Sequence, residues 1–342
     1  TLKADKYIFA GINLTPAIIN EITSRGLGAF SYKEFEQSIS DLTNPTDGFV
    51  MFNTTYPAVT PGDALATSAE AAKANPISIP VSRVVAKAAV VKSTSFVVNG
   101  GGTMQNITYG WRNINRRFYF IPKIDGGIIK DYNWDSYNVN DFVRGTDQIP
   151  VNEATATPTT FSYALENSFN YIPGSSLVDQ TTFLSIQGQF LPTQICRIKT
   201  GVTAPQGATD FEFVNNPNGY GTFYVVRTDD GSSNYFITGT DAEKYAELCI
   251  AHAPDMPALT GGYSLSDNTF TNGMCYFHVL VNSAASGQYG PYGIYRMTLN
   301  SIQAPGNPND NFDHNQVISP NTWVDVNITV DEWQEIDEDC DL

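Results

Sequence analysis

The strongest constraint on the fold comes from residues 323–330, near the end of the chain, because their side chains alternate between two chemical classes. Apolar side chains occupy the even-numbered positions from 324 to 330, and the polar Asp325, Asn327 and Thr329 occupy the odd-numbered positions between them. The apolar positions are Val324, Val326, Ile328 and Val330. Alternation with a period of two predicts a β-strand with one apolar face. Such a strand has to cover an apolar surface, in its own domain or in a neighbouring subunit.

The pattern leaves both destinations open. The strand follows a Pro/Asn/Asp-rich linker at residues 304–320 and leads into Trp333, Ile336 and a tail with seven carboxylates and no basic residue. It could be the last edge strand of its own sheet. Alternatively, it leaves and pairs with another subunit, where burial contributes about 1.5–3 kcal/mol per apolar side chain. Main-chain pairing there adds about 0.5–1.5 kcal/mol per hydrogen bond.

The composition favours a β-rich fold. Charged residues make up only 16% of the 342 residues, and the chain has 18 Tyr, 20 Phe and 27 Gly. Aromatic and β-branched side chains suit a pleated sheet, while Gly and Asn suit tight turns. A chain of this length is expected to form two domains. We therefore predict an all-β protein with a few short helices, built from two domains.

The net charge of −16 excludes one class of partner. A phosphate backbone or an anionic lipid surface would be repelled, so we expect no nucleic-acid partner. The apolar runs fall short of the roughly 18 residues that a membrane-spanning helix needs. No charged and then apolar leader precedes Thr1, so we expect that a secretion signal has been removed or was never in this sequence.

Local patterns predict the helices and the domain boundary. Thr15 followed by Pro16 predicts a helix to about residue 23, because Thr caps a helix and Pro fits its first turn. A capping box at 31–34 predicts a second helix that continues to Leu42. Residues 125–160 lack periodicity, as expected of a surface connection, which places the boundary near residue 153.

The remaining turn signals lie in both halves. A capping box at 240–243 predicts a helix to about residue 252. The turn residues 229–233 predict a hairpin between two flanking strands, and Gly100–Gly102 predict a hairpin turn rather than a phosphate-binding loop, because no Lys or Ser follows them.

A series of segments carries a family resemblance, in order along nearly the whole chain. They are Tyr7–Pro16, Gly48–Met51, Val81–Val90, Ala164–Asn167, Ile186–Leu191, Tyr276–Asn282, Gly293–Ile302 with Pro305–Gly306, and Val324–Trp333. Each segment alone is a weak signal, and their order together with the closing strand makes the combination specific. The chain resembles the fimbrillins, the major fimbrial subunits of the type V pili of Bacteroidia, and among them the major subunit of the short fimbriae.

This resemblance implies two transthyretin-like β-sandwich domains, at residues 1–153 and 154–306, followed by a linker and donor strand at 307–342. It implies that a protease trims the N-terminal domain and so opens an acceptor groove there. The donor strand of the next subunit then fills the groove. On this prediction the polymer contacts come from Val324, Val326, Ile328, Val330, Trp333 and Ile336.

The resemblance also implies a location and a set of partners. The precursor would travel as an outer-membrane lipoprotein, and the mature subunit would lie in an extracellular fimbrium at the cell surface, used in adhesion and biofilm formation. The implied partners are identical subunits, accessory anchor and tip subunits, and the processing protease. We expect no enzymatic activity, no cofactor and no metal site.

Enzymatic signals are weak. The chain has three histidines, His252, His278 and His314, and the sequence contains no G-x-S-x-G elbow, P-loop or H-E-x-x-H motif. His278 lies within an apolar strand and is interpreted as a packed residue. A carboxylate pair for glycoside hydrolysis has no local signature, so it stays open.

An alternative function is carbohydrate binding, either as a secreted β-sandwich protein or as a fimbrial tip or anchor adhesin. Residues 131–137 place Tyr132, Trp134 and Tyr137 among Asp and Asn, which suits stacking and hydrogen bonding to a sugar. Trp111 is a further candidate platform. The competing interpretation is a packed, Tyr-rich loop.

The four cysteines, Cys196, Cys249, Cys275 and Cys340, form no C-x-x-C pair and no zinc spacing. Three disulfide connectivities, partial pairing and four free thiols are all open, with free or partly free thiols favoured. Cys340 follows the donor segment, which suggests pairing with a cysteine of the next subunit.

Overall fold

The computed structural model describes most of the chain, with gaps. The described residues are 6–25, 34–36, 39–43, 48–53, 58–59, 66, 68–120, 123–126, 128–136, 138–153, 155, 159–168, 181–279, 288–289, 294–305 and 324–331. Tyr137, His314, the linker at 306–320, Trp333, Ile336 and Cys340 lie outside them.

The strands are numbered β1 to β27. Those up to residue 153 are β1 (Lys6–Tyr7), β2 (Gly11–Ile12), β3 (Glu34–Glu36), β4 (Met51–Asn53), β5 (Ala58–Val59), β6 (Val81–Arg83), β7 (Ala86–Asn99), β8 (Gly102–Arg112), β9 (Ile114–Asn115), β10 (Arg117–Tyr119), β11 (Ile124–Asp125), β12 (Ile128–Ile129), β13 (Phe142–Val143), β14 (Ile149–Pro150) and β15 (Asn152–Glu153). The later strands are β16 (Ser162–Ala164), β17 (Asn167–Ser168), β18 (Phe183–Pro192), β19 (Gln194–Ile198), β20 (Phe211–Asn215), β21 (Phe223–Arg227), β22 (Ser233–Phe236), β23 (Thr269–Phe270), β24 (Met274–Val279), β25 (Gln288–Tyr289), β26 (Ile294–Gln303) and β27 (Val324–Asp331).

Four α-helices are described: α1 (Pro16–Arg25), α2 (Ile39–Leu42), α3 (Ala69–Ala74) and α4 (Gly239–Ile250). The first and last confirm their predictions. The Thr15 hydroxyl accepts a hydrogen bond from the Ile18 N–H at 3.3 Å, so it caps α1 as expected. In α4 the cap is Thr238, whose hydroxyl accepts from the Asp241 N–H, so the helix starts earlier than its capping-box pattern suggests.

Two sheets form the centre of the molecule. Sheet I has the order β14-β8-β18-β24, and all of its pairs are antiparallel. Sheet II has the order β15-β7-β26-β27, with β16 also paired to β7. Within sheet II, β26 runs parallel to β7 and antiparallel to β27. Sheet II therefore joins the first half of the chain to its last segments.

The largest hydrophobic core takes side chains from both sheets, which makes them a β-sandwich. Sheet I contributes alternate residues of β8, β18 and β24, and sheet II contributes Ala86, Ala88 and Val90 of β7 with Met297, Leu299 and Ile302 of β26. Alternate residues point to one face of a strand, so a contribution of every second residue to the shared core is what a two-layer fold requires.

Two smaller cores flank the sandwich. One joins α1, α2, β4 and β10 through buried side chains that include Ile18, Leu42 and Phe118. The other packs α4 against β19, β21 and β22. The strands β21 and β22 form the predicted antiparallel hairpin around the turn at 229–233.

Strand pairing continues across the predicted domain boundary. The strands β7 and β8 precede residue 153, and they pair with β26 and β18, which follow it. Residue 153 itself lies in β15, which also pairs with β7. The division into units at 1–153 and 154–306, and their transthyretin-like character, stay predictions.

Two local predictions were wrong. The capping box at 31–34 does not open a continuous helix to Leu42, because residues 34–36 form β3, paired with β10 in a register that sets Phe35 opposite Phe118. The end of the predicted helix is present as α2, which ends at Leu42. Gly100–Gly102 do not close a hairpin either. They connect β7 of sheet II to β8 of sheet I, and the positive φ angles of Gly100 and Gly101 allow the sharp change of direction.

The predicted β-rich class with a few short helices is confirmed by these elements. In the part of the chain that is described, no helix combines the length and apolar character needed to cross a membrane.

The central core supplies a test of the fold. Phe190 is 0% exposed, and its ring lies 5.7 Å from the rings of both Phe223 and Tyr235. We expect Phe190→Ala to lower the free energy of unfolding by about 3–5 kcal/mol, because it leaves a cavity in this cluster. Phe213→Ala is the matched control, since Phe213 is 58% exposed and should cost roughly 0.5 kcal/mol or less. Urea denaturation measures both, and equal losses would contradict the assigned core.

Candidate functional site

The predicted donor strand forms β27, and it lies at the edge of sheet II. It pairs antiparallel with β26 along its whole length, from Ile302 opposite Val324 to Ile294 opposite Asp331. The sequence left two possibilities open for this strand. In the single chain, it is the edge strand of its own sheet. Whether the same strand serves as a donor to a neighbour stays a prediction.

The register of this pair agrees with the predicted alternation. It sets Val324, Val326 and Ile328 opposite Ile302, Leu299 and Met297, which are the buried residues of β26. Residues directly opposite each other in an antiparallel pair share a face of the sheet. The apolar residues of β27 are therefore placed, by their register, on the face of sheet II that contributes to the core.

The edge position leaves one side of β27 available. Among the described strands, β27 pairs only with β26, and β24 of sheet I lies near it. A register shift between Leu299 and Ser301 interrupts the regular pairing on both sides of β26. Bulges of this kind bend a strand and increase its twist, so the sheet edge is locally irregular where β27 begins.

The sequence did not identify β26 as part of the site. Its apolar pattern predicted a strand, but no local signal indicates which strands will lie on its two sides. The strand that pairs with the predicted donor is β26. The place of β26 in the sheet depends on its pairing with β7, which lies far earlier in the chain.

The candidate sugar platform is only partly surface-exposed. Tyr132 and Trp134 are half-buried, and Tyr137 lies outside the described residues. The Arg117 guanidinium lies 5.6 Å from the Tyr132 ring centre, and the Lys130 ammonium lies 5.6 Å from the Trp134 ring centre. Each ring thus already has a cation over one face. Trp111 is a core residue, and its indole N–H donates to the Ser162 carbonyl at 3.2 Å.

Two of the three acidic and amide side chains of this run, those of Asp131 and Asn133, point into the protein, whereas Asp135 is exposed. Asp131 and Asn133 are both buried, and the Tyr132 hydroxyl donates to the Asp141 carbonyl at 3.0 Å. Burial raises the pKa of Asp131, and the hydrogen bond from the Ser168 N–H opposes part of this rise. The packed-loop interpretation describes residues 131–136 better than an open platform does.

The titratable candidates from the enzymatic alternatives are structural in this fold. His278 lies in β24, buried, with its ring 4.6 Å from that of Phe183. Cys196, Cys249 and Cys275 are buried free thiols. Burial raises the pKa of Cys196 to about 12 and that of Cys249 to about 11, so neither is a ready nucleophile. Across the described ranges, no group of three or more His, Cys, Asp and Glu side chains is placed to hold a metal ion.

Comparison with known proteins gives one family match. Residues 268–339 match the family model described as "Major fimbrial subunit protein type IV, Fimbrillin, C-terminal". This range covers about a fifth of the chain and includes β24, β26 and β27. No curated protein matches the chain.

Among solved structures, three similar chains are proteins provisionally assigned to cell adhesion. Two are from Parabacteroides distasonis: one has 14% identity and a TM-score of 0.48 over 97% of this chain and 84% of the other. The second has 12% identity and a TM-score of 0.44, over 99% and 78%. The third, from Bacteroides eggerthii, has 12% identity and a TM-score of 0.37, over 89% and 70%. At these values the likenesses carry no argument about function.

Removal of β27 provides a test of its pairing in solution. In a chain that ends at Pro320, the main-chain groups of β26 that bond to β27 lose their partners. We expect faster hydrogen–deuterium exchange over residues 294–303 of the monomeric protein, with unchanged exchange over 183–192 in β18 as the internal control. If residues 294–303 exchange equally in both chains, β27 does not hold this edge in solution.

Proposed function

Since residues 268–339 carry the fimbrillin C-terminal match, which confirms the predicted resemblance at this end of the chain, we propose that the protein is a structural subunit of a cell-surface fimbrium. The observation that carries this proposal is that the matched region contains β26 and β27, the pair at the edge of sheet II. Polymerisation would use this edge. Adhesion and biofilm formation would be properties of the assembled filament.

The mechanism we propose is donor-strand exchange through β27. In a single chain, β27 covers the β26 edge with apolar positions opposite the core residues Leu299 and Met297. The same strand from another copy can make the same pairs, because the backbone groups and the register positions are identical. Residues 304–323 connect the two strands, and at about 3.3–3.6 Å per extended residue they are long enough to reach a neighbouring subunit.

The product of strand exchange, a closed dimer or a filament, depends on whether the exchange is reciprocal or head-to-tail. If two chains swapped β27 reciprocally, a closed dimer would result. If each chain gave its strand to the next, the contact would be head-to-tail, and repetition would build a filament. A fimbrium requires the second arrangement, together with accessory anchor and tip subunits that end the series.

Two acceptors are compatible with the proposal. The β26 edge is one, and its support is the pairing with β27. The other is the groove in the N-terminal domain that the resemblance implies, opened when a protease trims a precursor that reaches the surface as an outer-membrane lipoprotein. Residues that would extend the donor contact, Trp333 and Ile336, lie outside the described part of the chain.

A charge at one of the apolar positions of β27 should block assembly. Val326→Asp would place an unpaired carboxylate against the apolar surface that receives the strand, and burial of an unpaired charge costs several kcal/mol. Asn327→Asp adds the same charge to the neighbouring position of the opposite parity and serves as the matched control. Negative-stain microscopy of both variants, with and without a trypsin-like protease, measures filament formation.

We expect filaments from the native chain and from Asn327→Asp, and monomers from Val326→Asp and from the chain that ends at Pro320. Circular dichroism of the Val326→Asp monomer should remain that of a folded β-rich protein. Normal filaments from Val326→Asp would rule out β27 as the donor.

Disulfide trapping distinguishes the two acceptors. Thr298 of β26 lies directly opposite Asn327 of β27. One chain would carry Thr298→Cys and the other Asn327→Cys, each with Cys340→Ser so that the tail contributes no thiol. Mixed under polymerising conditions and oxidised, they should give a linked pair of chains on a non-reducing gel if β27 enters the β26 edge of a neighbour.

The double variant Thr298→Cys/Asn327→Cys is the positive control, since it should form the same disulfide within one chain. Filaments that form without any linked pair would exclude the β26 edge as acceptor and favour the groove in residues 1–153.

A further inference from the structure

A buried polar cluster connects parts of the chain that lie on either side of residue 153. We call it the Asp131 cluster, and its members are almost fully buried: Asn115, Asp131, Asn133, Asn167 and Ser168. They come from β9, from the turn at 131–134 and from β17. Buried polar groups stabilise a fold only when their hydrogen bonds are satisfied, so the protonation state of the acid in this cluster affects the connection.

The Asp131 side chain accepts hydrogen bonds through one of its two oxygens. Its Oδ2 accepts from the Ser168 N–H at 2.8 Å and from the Asn115 amide at 3.2 Å. Among the described residues, no group donates to Oδ1. An ionised carboxylate has two equivalent accepting oxygens, whereas a neutral carboxyl has one accepting oxygen and one that carries a proton. The observed bonds therefore match the neutral form, with the proton on Oδ1.

No cation within the described ranges compensates an ionised Asp131, and both of its hydrogen-bond donors are neutral. With only 6% of the residue exposed, an ionised carboxylate would have lost its hydration without gaining an ion pair. The basic side chains of the neighbouring segments lie elsewhere: Arg116 donates to the Asn140 carbonyl, Arg117 lies over the Tyr132 ring, Lys130 pairs with Asp125, and Arg144 is exposed.

The acids near the cluster have the same sign as an ionised Asp131 and cannot pair with it. Glu166 is only 4% exposed, and its carbonyl accepts from the Asn115 amide at 2.6 Å. Asp135, in the same loop as Asp131, is exposed. Because like charges repel, a negative charge on a neighbouring acid also favours the neutral form of Asp131.

Asn133 supplies an acceptor that lacks a donor. Its Nδ2 donates to Asn115 Oδ1 at 3.2 Å, which places the amide within the cluster. Its own Oδ1 is buried and has no hydrogen-bond partner. A proton on Asp131 adds a donor to a cluster that has a spare acceptor, whereas ionisation adds a further acceptor. The balance of donors and acceptors thus also favours the neutral carboxyl.

From this geometry we infer that Asp131 is held neutral and makes the connection between β9, the 131–134 turn and β17 sensitive to pH. The neutral carboxyl holds these segments together through its hydrogen bonds. Ionisation places an uncompensated charge among buried neutral groups, which weakens the connection. Burial raises the pKa of Asp131 above its ordinary value, in agreement with a neutral carboxyl. The inference is independent of strand exchange, so failure of the filament tests would leave it unaffected.

The direction of the pH dependence follows from the raised pKa of Asp131. In an unfolded chain, Asp ionises near pH 4, at about 3.9. An acid whose pKa is higher in the folded state stabilises the fold fully below the unfolded pKa, and this stability is lost as the pH rises through the folded pKa. The native chain should therefore lose stability at alkaline pH, relative to a chain in which residue 131 stays neutral.

Asp131→Asn supplies that comparison. The amide has nearly the size of a neutral carboxyl and keeps an accepting oxygen beside a donor, but it does not ionise. Thermal unfolding of the full chain and of the variant is measured at about pH 5 and at about pH 9, on both sides of neutrality. We expect the midpoint of the variant, relative to that of the native chain, to rise by a few degrees between these two pH values. A hydrogen bond with a merely structural role would give a difference that is constant with pH.

Two variants serve as controls. Asp135→Asn removes the same charge from an exposed residue of the same loop, and Glu166→Gln neutralises the other buried acid. Both should keep the loss of stability that the native chain shows between the two pH values, because Asp131 still ionises in them.

Infrared spectroscopy gives a second measurement, which does not depend on the folding of Asp131→Asn. At about pH 6, Asp and Glu side chains with ordinary pKa values are ionised. We expect the C=O stretching band of a protonated carboxyl in the native chain and in Glu166→Gln at this pH, and no such band in Asp131→Asn.

Three results would overturn the inference. The midpoint difference between Asp131→Asn and the native chain could stay the same at both pH values. The native chain could show no protonated carboxyl at about pH 6. Finally, the band and the pH dependence could disappear in Glu166→Gln and persist in Asp131→Asn, which would assign both to Glu166.

Discussion

The pairing of β26 with strands from both ends of the chain is the interaction on which the rest of the structure depends. On one side β26 runs parallel to β7, and on the other it runs antiparallel to β27. Its buried residues Met297 and Leu299 belong to the central core. Without β26, sheet II would lose the strand between its N-terminal and C-terminal members. Pairings over such sequence separations close long loops, which makes folding of this sheet slow.

The sequence correctly predicted features that depend only on a short stretch of neighbouring residues. The cap at Thr15 predicts α1. The alternation at 324–330 predicts a strand, and it predicts which of its residues share a face with Leu299. It failed where distant residues decide. Residue 34 is the last residue of a capping-box pattern, yet residues 34–36 pair with β10, because tertiary contact overrides weak local propensity. Buried hydrogen bonds between distant polar residues could not be predicted for the same reason, since Asn115 and Asn167 meet only after the sheets form.

The pairing of β27 within its own chain sets an energetic condition on exchange. A strand that moves from its own β26 edge to that of a neighbour makes the same contacts, so the exchanged pairs alone give no net free energy. The covalent connection between β26 and β27 also makes pairing with its own edge an intramolecular event, which raises the effective concentration of β27 there over that of another copy. Self-pairing is therefore the stable state of an isolated subunit.

Filament growth then needs a further source of free energy or a kinetic device. New contacts between neighbouring subunits could supply the free energy, and residues after Asp331 are candidates because the donor segment continues to Trp333 and Ile336. Proteolytic trimming, which the fimbrillin resemblance implies, acts differently. It would remove a competing segment irreversibly, so that a groove filled by a donor strand would not return to its earlier state. Because an isolated subunit gains nothing by exchange, the assembly that we propose through β27 would depend on one of these two sources, new contacts between subunits or the event that opens the acceptor.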